Sequence, residues 1–181
     1  MSTVTVNLAG IEQLQRAMRE MEKKSLQVGW FESANYEDGT PVAGVAALQE
    51  LGSKTAPPRP FFRPAIEDNK DNWSNLVADG ARAVTEGNAT IDQVMNGLGL
   101  MVVGDVKNAI AGPHLALSPV TLALRKLRND GHTVGKGLVG AVAGAVARGE
   151  TGAGQLGQPF GNTTPLNETG IMIATLTHEI G

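Results

Sequence analysis

Apolar residues change period several times along this chain, and each change marks an element. Val4, Val6 and Leu8 alternate with polar residues over positions 3 to 8, the period of a strand. Ile11, Leu14, Met18 and Met21 then recur at helical spacing, with Glu12, Arg16, Arg19 and Glu20 on the other faces. Alternation returns in Leu26, Val28 and Trp30, a second strand, and Asp38-Gly39 signals a turn. "VAGVAALQELG" predicts a short helix with Val42, Val45, Leu48 and Leu51 inward and Gly52 as its stop. Pro64 is expected as the first residue of a long helix, with Glu67 and Asp68 in its first turn. Trp73, Leu76, Val77, Gly80, Ala81 and Val84 form the apolar stripe of that helix, and Glu86-Gly87-Asn88 ends it.

Thr90 and Gln93 make a capping box for another helix, in which Ile91, Val94, Leu98, Met101, Val102, Val106 and Ile110 repeat every three or four residues. Gly97, Gly99 and Gly104 lie inside it and cost about 0.5–1 kcal/mol each against Ala, so they are read as a close helix crossing. Ser118-Pro119 caps a further helix to about Arg128. Residues 131–163 are rich in Gly, Ala and Thr, with a weak helix expected near 136–148 and a loop from 149 to 163. This stretch reads as an insertion or arm in a single domain made of 1–130 and 164–181. "GIMIATLTHEI" alternates again and predicts a closing strand. The fold class expected is α+β: a small, mostly antiparallel sheet packed against long helices, with a Gly/Ala-rich extended arm or loop.

Composition narrows the function classes. No cysteine occurs among the 181 residues, which removes disulfides, thiolate metal sites and cysteine nucleophiles. Eighteen acidic and 15 basic residues leave a net charge of −3, so no global charge draws the chain to nucleic acid or anionic lipid. The N-terminus shows no signal-peptide pattern, and the longest apolar run, "LVGAVAGAVA", is shorter than the about 20 residues a membrane helix needs. No membrane partner is expected, and assembly in a cytoplasm is.

Little in the sequence points to chemistry. His114, His132 and His178 fall in different elements without ligand spacing, so no metal site is expected, and "GLGLMVVG" lacks the Lys-Ser/Thr of a phosphate loop, so no cofactor is either. "ETG" at 168–170 reads as a turn in which Thr169 caps locally and Gly170 takes a conformation barred to other residues. A hydrolase using Glu168 with Thr169 is the enzymatic alternative, but no catalytic residue is assigned. "LRKLR" places Arg125, Lys126 and Arg128 near a helix C-terminus, where the dipole favours cations.

The unusual segment is "PPRPFFRP". Pro57, Pro58, Pro60 and Pro64 stiffen it and remove four donors, and it holds two of the chain's four phenylalanines. Phe61 and Phe62 are expected to point to different sides, one into the core and one toward a neighbour. Arg59 and Arg63 flank them as forks for carboxylates, and Arg with aromatic residues is the composition of an interface hot spot. Arg59, Pro60, Phe61, Phe62 and Arg63 are therefore the candidate subunit interface.

"VGWFE", "YEDGTPVAGVAALQELGS", "PPRPFFRPAIE", "LSPVTLALRK" and "PLNETGIMIATLTHEIG" follow one another in this order. Together they resemble the tail-completion and neck proteins of long-tailed bacteriophages, the minor-tail-protein-Z-like and related virion morphogenesis families, over nearly the whole chain. Leu51 stands where Phe is commoner in those families, and Glu168 where Asp is commoner. The resemblance implies a structural virion protein and not an enzyme. It would be a homo-oligomeric ring, of six subunits, at the neck between head and tail. Its implied partners are the tail terminator or tail tube protein and the head connector, with DNA passing through the lumen without sequence-specific binding. A tail terminator or minor capsid protein is the alternative within the same class.

Overall fold

The structure, a computed structural model, describes residues 8–54, 56–114, 117–149, 166 and 170–181. Among the described residues it is α+β, with 63% helical and one two-stranded antiparallel sheet. The chain divides into two compact units: Met1–Ile110 with Ile171–Gly181, and Ala111–Gly170. The expected arm, 131–163, falls within the second, which also holds the preceding helix.

In the larger unit, α1 (Leu8–Met21) leads through a turn into β1 (Leu26–Gly29). The strand expected at 3–7 lies outside the described residues, and Leu8, its last position, instead opens α1. Next come α2 (Val42–Leu51), α3 (Phe62–Thr85) and α4 (Ile91–Ala111). The unit closes with α7 (Ile171–Thr175) and β2 (Thr177–Ile180). The closing strand is thus much shorter than the alternation predicts, four residues against eleven: a five-residue helix takes its first part, after Gly170 turns the chain at φ 74°. β1 and β2 pair with Leu26 opposite Ile180 and Gly29 opposite Thr177, and Ser25 and Gly181 exchange two further backbone bonds of 2.8 and 2.9 Å. A strand near the start of the chain is thereby held by its last residues.

The Asp38-Gly39 turn forms as expected. Gly39 takes φ 82°, its N–H donates to the Tyr36 carbonyl, and the Tyr36 N–H donates to the Thr40 carbonyl. The capping box of α4 also forms, with Gln93 Oε1 accepting from the Thr90 N–H at 2.8 Å and Thr90 Oγ1 accepting from the Gln93 N–H at 3.2 Å. In the smaller unit α5 (Pro119–Asn129), capped by the Ser118 hydroxyl, packs on α6 (Lys136–Ala147), burying Ala123 and Val142.

Inward positions differ from the periodic expectation in the short helices. In α2 Val42 and Ala46 are buried, while Leu48 and Leu51 are 58% and 70% exposed. In α1, which packs on α3, Ile11 and Met18 are exposed; the placement expected of the Leu14 side chain lies outside what is described. Periodicity tells which residues share a face but not how much of that face finds a partner.

The glycines of α4 separate into two kinds. A Cβ on Gly80 of α3 would overlap the Val94 side chain of α4, so those helices do cross closely, but the small residue that permits it is on α3. Gly99 faces the His178 ring of β2, which hydrogen-bonds Asn96 at 3.1 Å, while Gly97 and Gly104 have nothing within 4 Å of a would-be Cβ. The crossing read from three α4 glycines is therefore a helix-on-helix contact at Gly80 and a helix-on-sheet contact at Gly99. Trp73 Nε1 donates to Asp105 Oδ2 at 2.7 Å and fixes the register of α3 on α4. Among the described residues no helix is long and apolar enough to cross a membrane.

Gly80→Ala is expected to cost about 1–3 kcal/mol through overpacking against Val94. Gly97→Ala and Gly104→Ala, in open helical positions, are expected to gain about 0.5–1 kcal/mol each. Urea denaturation midpoints for the three variants test this, and equal shifts would contradict the assignment.

Candidate functional site

The proline segment is organised by the helix before it. α2 ends at Leu51, and Gly52 turns the chain with φ 77°, its N–H donating to the Leu48 carbonyl at 2.9 Å. A Cβ at Gly52 would lie 2.8 Å from the Pro58 nitrogen, so both the backbone angle and the returning chain require glycine here. A Ser53–Ala56 turn reverses direction, and the Arg59 N–H reaches the Gln49 carbonyl at 2.7 Å. The segment thus folds back along the end of α2 instead of projecting from it.

α3 begins at Phe62, two residues earlier than expected, because its cap comes from elsewhere. Phe61 is the N-cap residue and its side chain offers no acceptor. The Glu50 carboxylate takes that role: Oε2 accepts from the Phe61 and Phe62 N–H groups at 2.7 and 3.0 Å, and Oε1 accepts from the Arg63 N–H at 3.2 Å. Pro64 follows with no N–H, and the Ala65 N–H starts the internal ladder by donating to the Phe61 carbonyl at 3.1 Å. Every donor from Phe61 to Ala65 is thereby accounted for. With the start at Phe62, Glu67 and Asp68 fall beyond the first turn, which holds no acidic residue.

Arg63 completes the arrangement in the opposite sense. Its Nε donates to Glu50 Oε1 and its Nη2 to the Glu50 backbone carbonyl, both at 2.9 Å. Glu50 sits in the last turn of its own helix and Arg63 in the first turn of its own, each at the end where the dipole disfavours its charge. Each lies instead at the favourable end of the other's helix. Burial alone pushes the Glu50 carboxyl pKa up. The bonds from the Phe61 N–H, the Arg63 guanidinium, and the Phe62 and Arg63 N–H groups outweigh burial and hold it below the ordinary glutamate value.

The two phenylalanines do not point to different sides. Trp30 meets both edge-on, with ring centroids 5.9 Å from Phe61 and 5.8 Å from Phe62, and the two phenylalanines lie 5.2 Å apart. Phe61 is fully buried and Phe62 half-buried. Trp30 Nε1 donates to the Met172 carbonyl at 2.8 Å, which ties β1 to α7.

Of the candidate interface residues, Arg59 is 8% exposed and Phe61 fully enclosed, so their side chains serve the subunit's own interior. Pro60 is half-buried, and Arg63 is exposed but engaged with Glu50. Gly170 adopts the positive φ expected of it, and Thr169 and Glu168 lie outside the described residues. Sequence reading missed Glu50, Trp30 and the Met172 carbonyl. One signal was present: a proline-led helix start without Ser, Thr, Asp or Asn at its cap must draw an acceptor from elsewhere, and Glu50 stands just before the turn glycine.

Among the described residues no cluster of three His, Asp or Glu could hold a metal. A concavity of about 350 Å³ is lined by Glu20, Lys23, Lys24, Ile180 and Gly181, away from the proline segment. At Glu50 both carboxylate oxygens are taken by donors from the start of α3, and the residue clamps the end of α2 to that start.

Glu50→Ala is expected to lower stability by about 2–3 kcal/mol, since three N–H groups lose a charged acceptor. Phe61→Ala is expected to cost about 3–5 kcal/mol. Because the folded Glu50 pKa lies below its unfolded value, its contribution is complete above the unfolded value and is lost as pH falls through the folded one. The stability gap between wild type and Glu50→Gln should therefore narrow on acidification from pH ~7 to ~3; a constant gap in urea midpoints would count against the clamp. No protein-family model, curated protein or solved structure matches this chain.

Proposed function

We propose that the chain is a structural assembly subunit of a long-tailed bacteriophage. It is a tail-completion or neck protein that forms a ring, of six copies, joining the tail to the head connector. The observation that carries this reading is the meeting of the motif pieces behind the resemblance. Trp30 from "VGW", Glu50 from "ELG", Phe61 to Arg63 from "RPFFRP" and Met172 from the closing segment meet in one clamp and aromatic cluster. Four of the five motif pieces hold one another, which is what a scaffold needs, because its work is to present a rigid surface. The exposed Leu48, Leu51 and Leu100 supply apolar area for contacts that a lone subunit does not make. A near-neutral net charge suits a ring through which DNA slides without being held.

Cryo-electron microscopy of the intact particle's neck tests the reading. The expected result is density for this chain as a closed ring between the connector and the tail tube. Density for it only on the capsid shell, or its absence from the particle, would overturn it.

A further inference from the structure

The two units carry opposite charge. The smaller unit, Ala111–Gly170, has five basic and three acidic residues, net +2, and the larger has ten basic and fifteen acidic, net −5. The imbalance in the larger unit is local. From Ser25 to Ser53 there are four acidic residues, Glu32, Glu37, Asp38 and Glu50, and no basic one. Glu50 is committed to the clamp, but Glu32 and Glu37 are exposed, and the same stretch ends in the exposed Leu48 and Leu51. In the smaller unit the exposed Val134 and Val139 lie beside Lys136 in sequence, and Lys136 and Arg128 are exposed as well. Lys136 is the first residue of α6, where a cation opposes the helix dipole. A charge kept at a locally unfavourable end is consistent with a role outside the subunit.

We infer that the basic, apolar surface of the smaller unit around Lys136 docks on the acidic, apolar surface of another copy's Glu32–Leu51 segment. The occupant is a second copy of this chain, because the two surfaces complement each other in charge and each pairs charge with exposed aliphatic side chains. Two different surfaces meeting make a head-to-tail contact, which closes into a ring when its rotation allows. The inference rests on the assembly reading above and names the surfaces through which assembly proceeds.

The test uses full-length chain and charge reversal on each side. Glu32→Lys with Glu37→Lys reverses one surface, and Arg128→Glu with Lys136→Glu the other; Asp38 is left intact because its carboxylate takes the Thr40 N–H in the turn. Lys136→Glu spares α6, since an acid at its start agrees with the dipole, whereas Arg128→Glu puts an acid in the last turn of α5, so Lys136→Glu alone is the companion variant that keeps the fold intact. By sedimentation velocity, wild type is expected to self-associate, more weakly at about 500 mM than at about 50 mM salt. Each double variant alone should weaken association about tenfold or more, while an equimolar mixture of the two restores it. Restoration by mixing arises only where the opposed charges sit on different molecules. Wild type that assembles regardless of salt and of both reversals overturns this contact and leaves the assembly reading standing. A wild type that stays monomeric at every concentration overturns the contact and self-assembly of the isolated chain together.

Discussion

At the junction of α2 and α3, the end of one helix meets the start of the next across one glutamate and one arginine, and the geometry of the larger unit follows from that meeting. A helix leaves donors unsatisfied at its start and acceptors unsatisfied at its end, with partial charge to match. Here the two ends answer each other. Glu50 gives its carboxylate to three donors of α3, while Arg63 and Arg59 return N–H groups to the carbonyls of Glu50 and Gln49. Neither charged residue is well placed for its own helix, so the pair makes electrostatic sense only when the chain has folded back.

Folding back is what the prolines and Gly52 provide. Four prolines remove donors from a segment that joins no sheet, and Pro64 removes the one α3 donor that Glu50 would otherwise have to reach. The reversed segment lays Phe61 and Phe62 on Trp30, Trp30 ties to α7 through the Met172 carbonyl, and α7 leads into β2, which pairs with β1. One closed path of contacts thus links residue 26 to residue 181. It supports the two short strands of the described residues, since a two-stranded pair on its own is marginal in water.

The same composition supports two readings whose consequences differ. Arginine and aromatic residues on a stiff segment are the composition of an interface hot spot and equally that of an internal latch. Within the subunit Arg59 and Phe61 are enclosed and serve its interior, while Pro60 and Phe62 are half-buried and Arg63 is exposed. The exposed leucines of α2 and the acidic residues before them flank the segment in sequence.

Much of the fold was legible in the sequence because its signals are local. The Asp38-Gly39 turn, the Thr90–Gln93 capping box, the Ser118 cap and the stop at Gly52 each depend on a few neighbouring residues, and each forms as read. The α+β class followed from periods that change along the chain. What tertiary structure alone decided were the interactions that join distant positions. Glu50 capping a helix eleven residues on, Trp30 reaching Met172 across 142 positions, and Gly80 as the true crossing residue have no local signature. The start of α3 moved by two residues for the same reason: a helix begins where its first donors find acceptors, and here the acceptor belongs to the preceding helix. Periodicity set which side chains share a face; only packing set whether that face was covered.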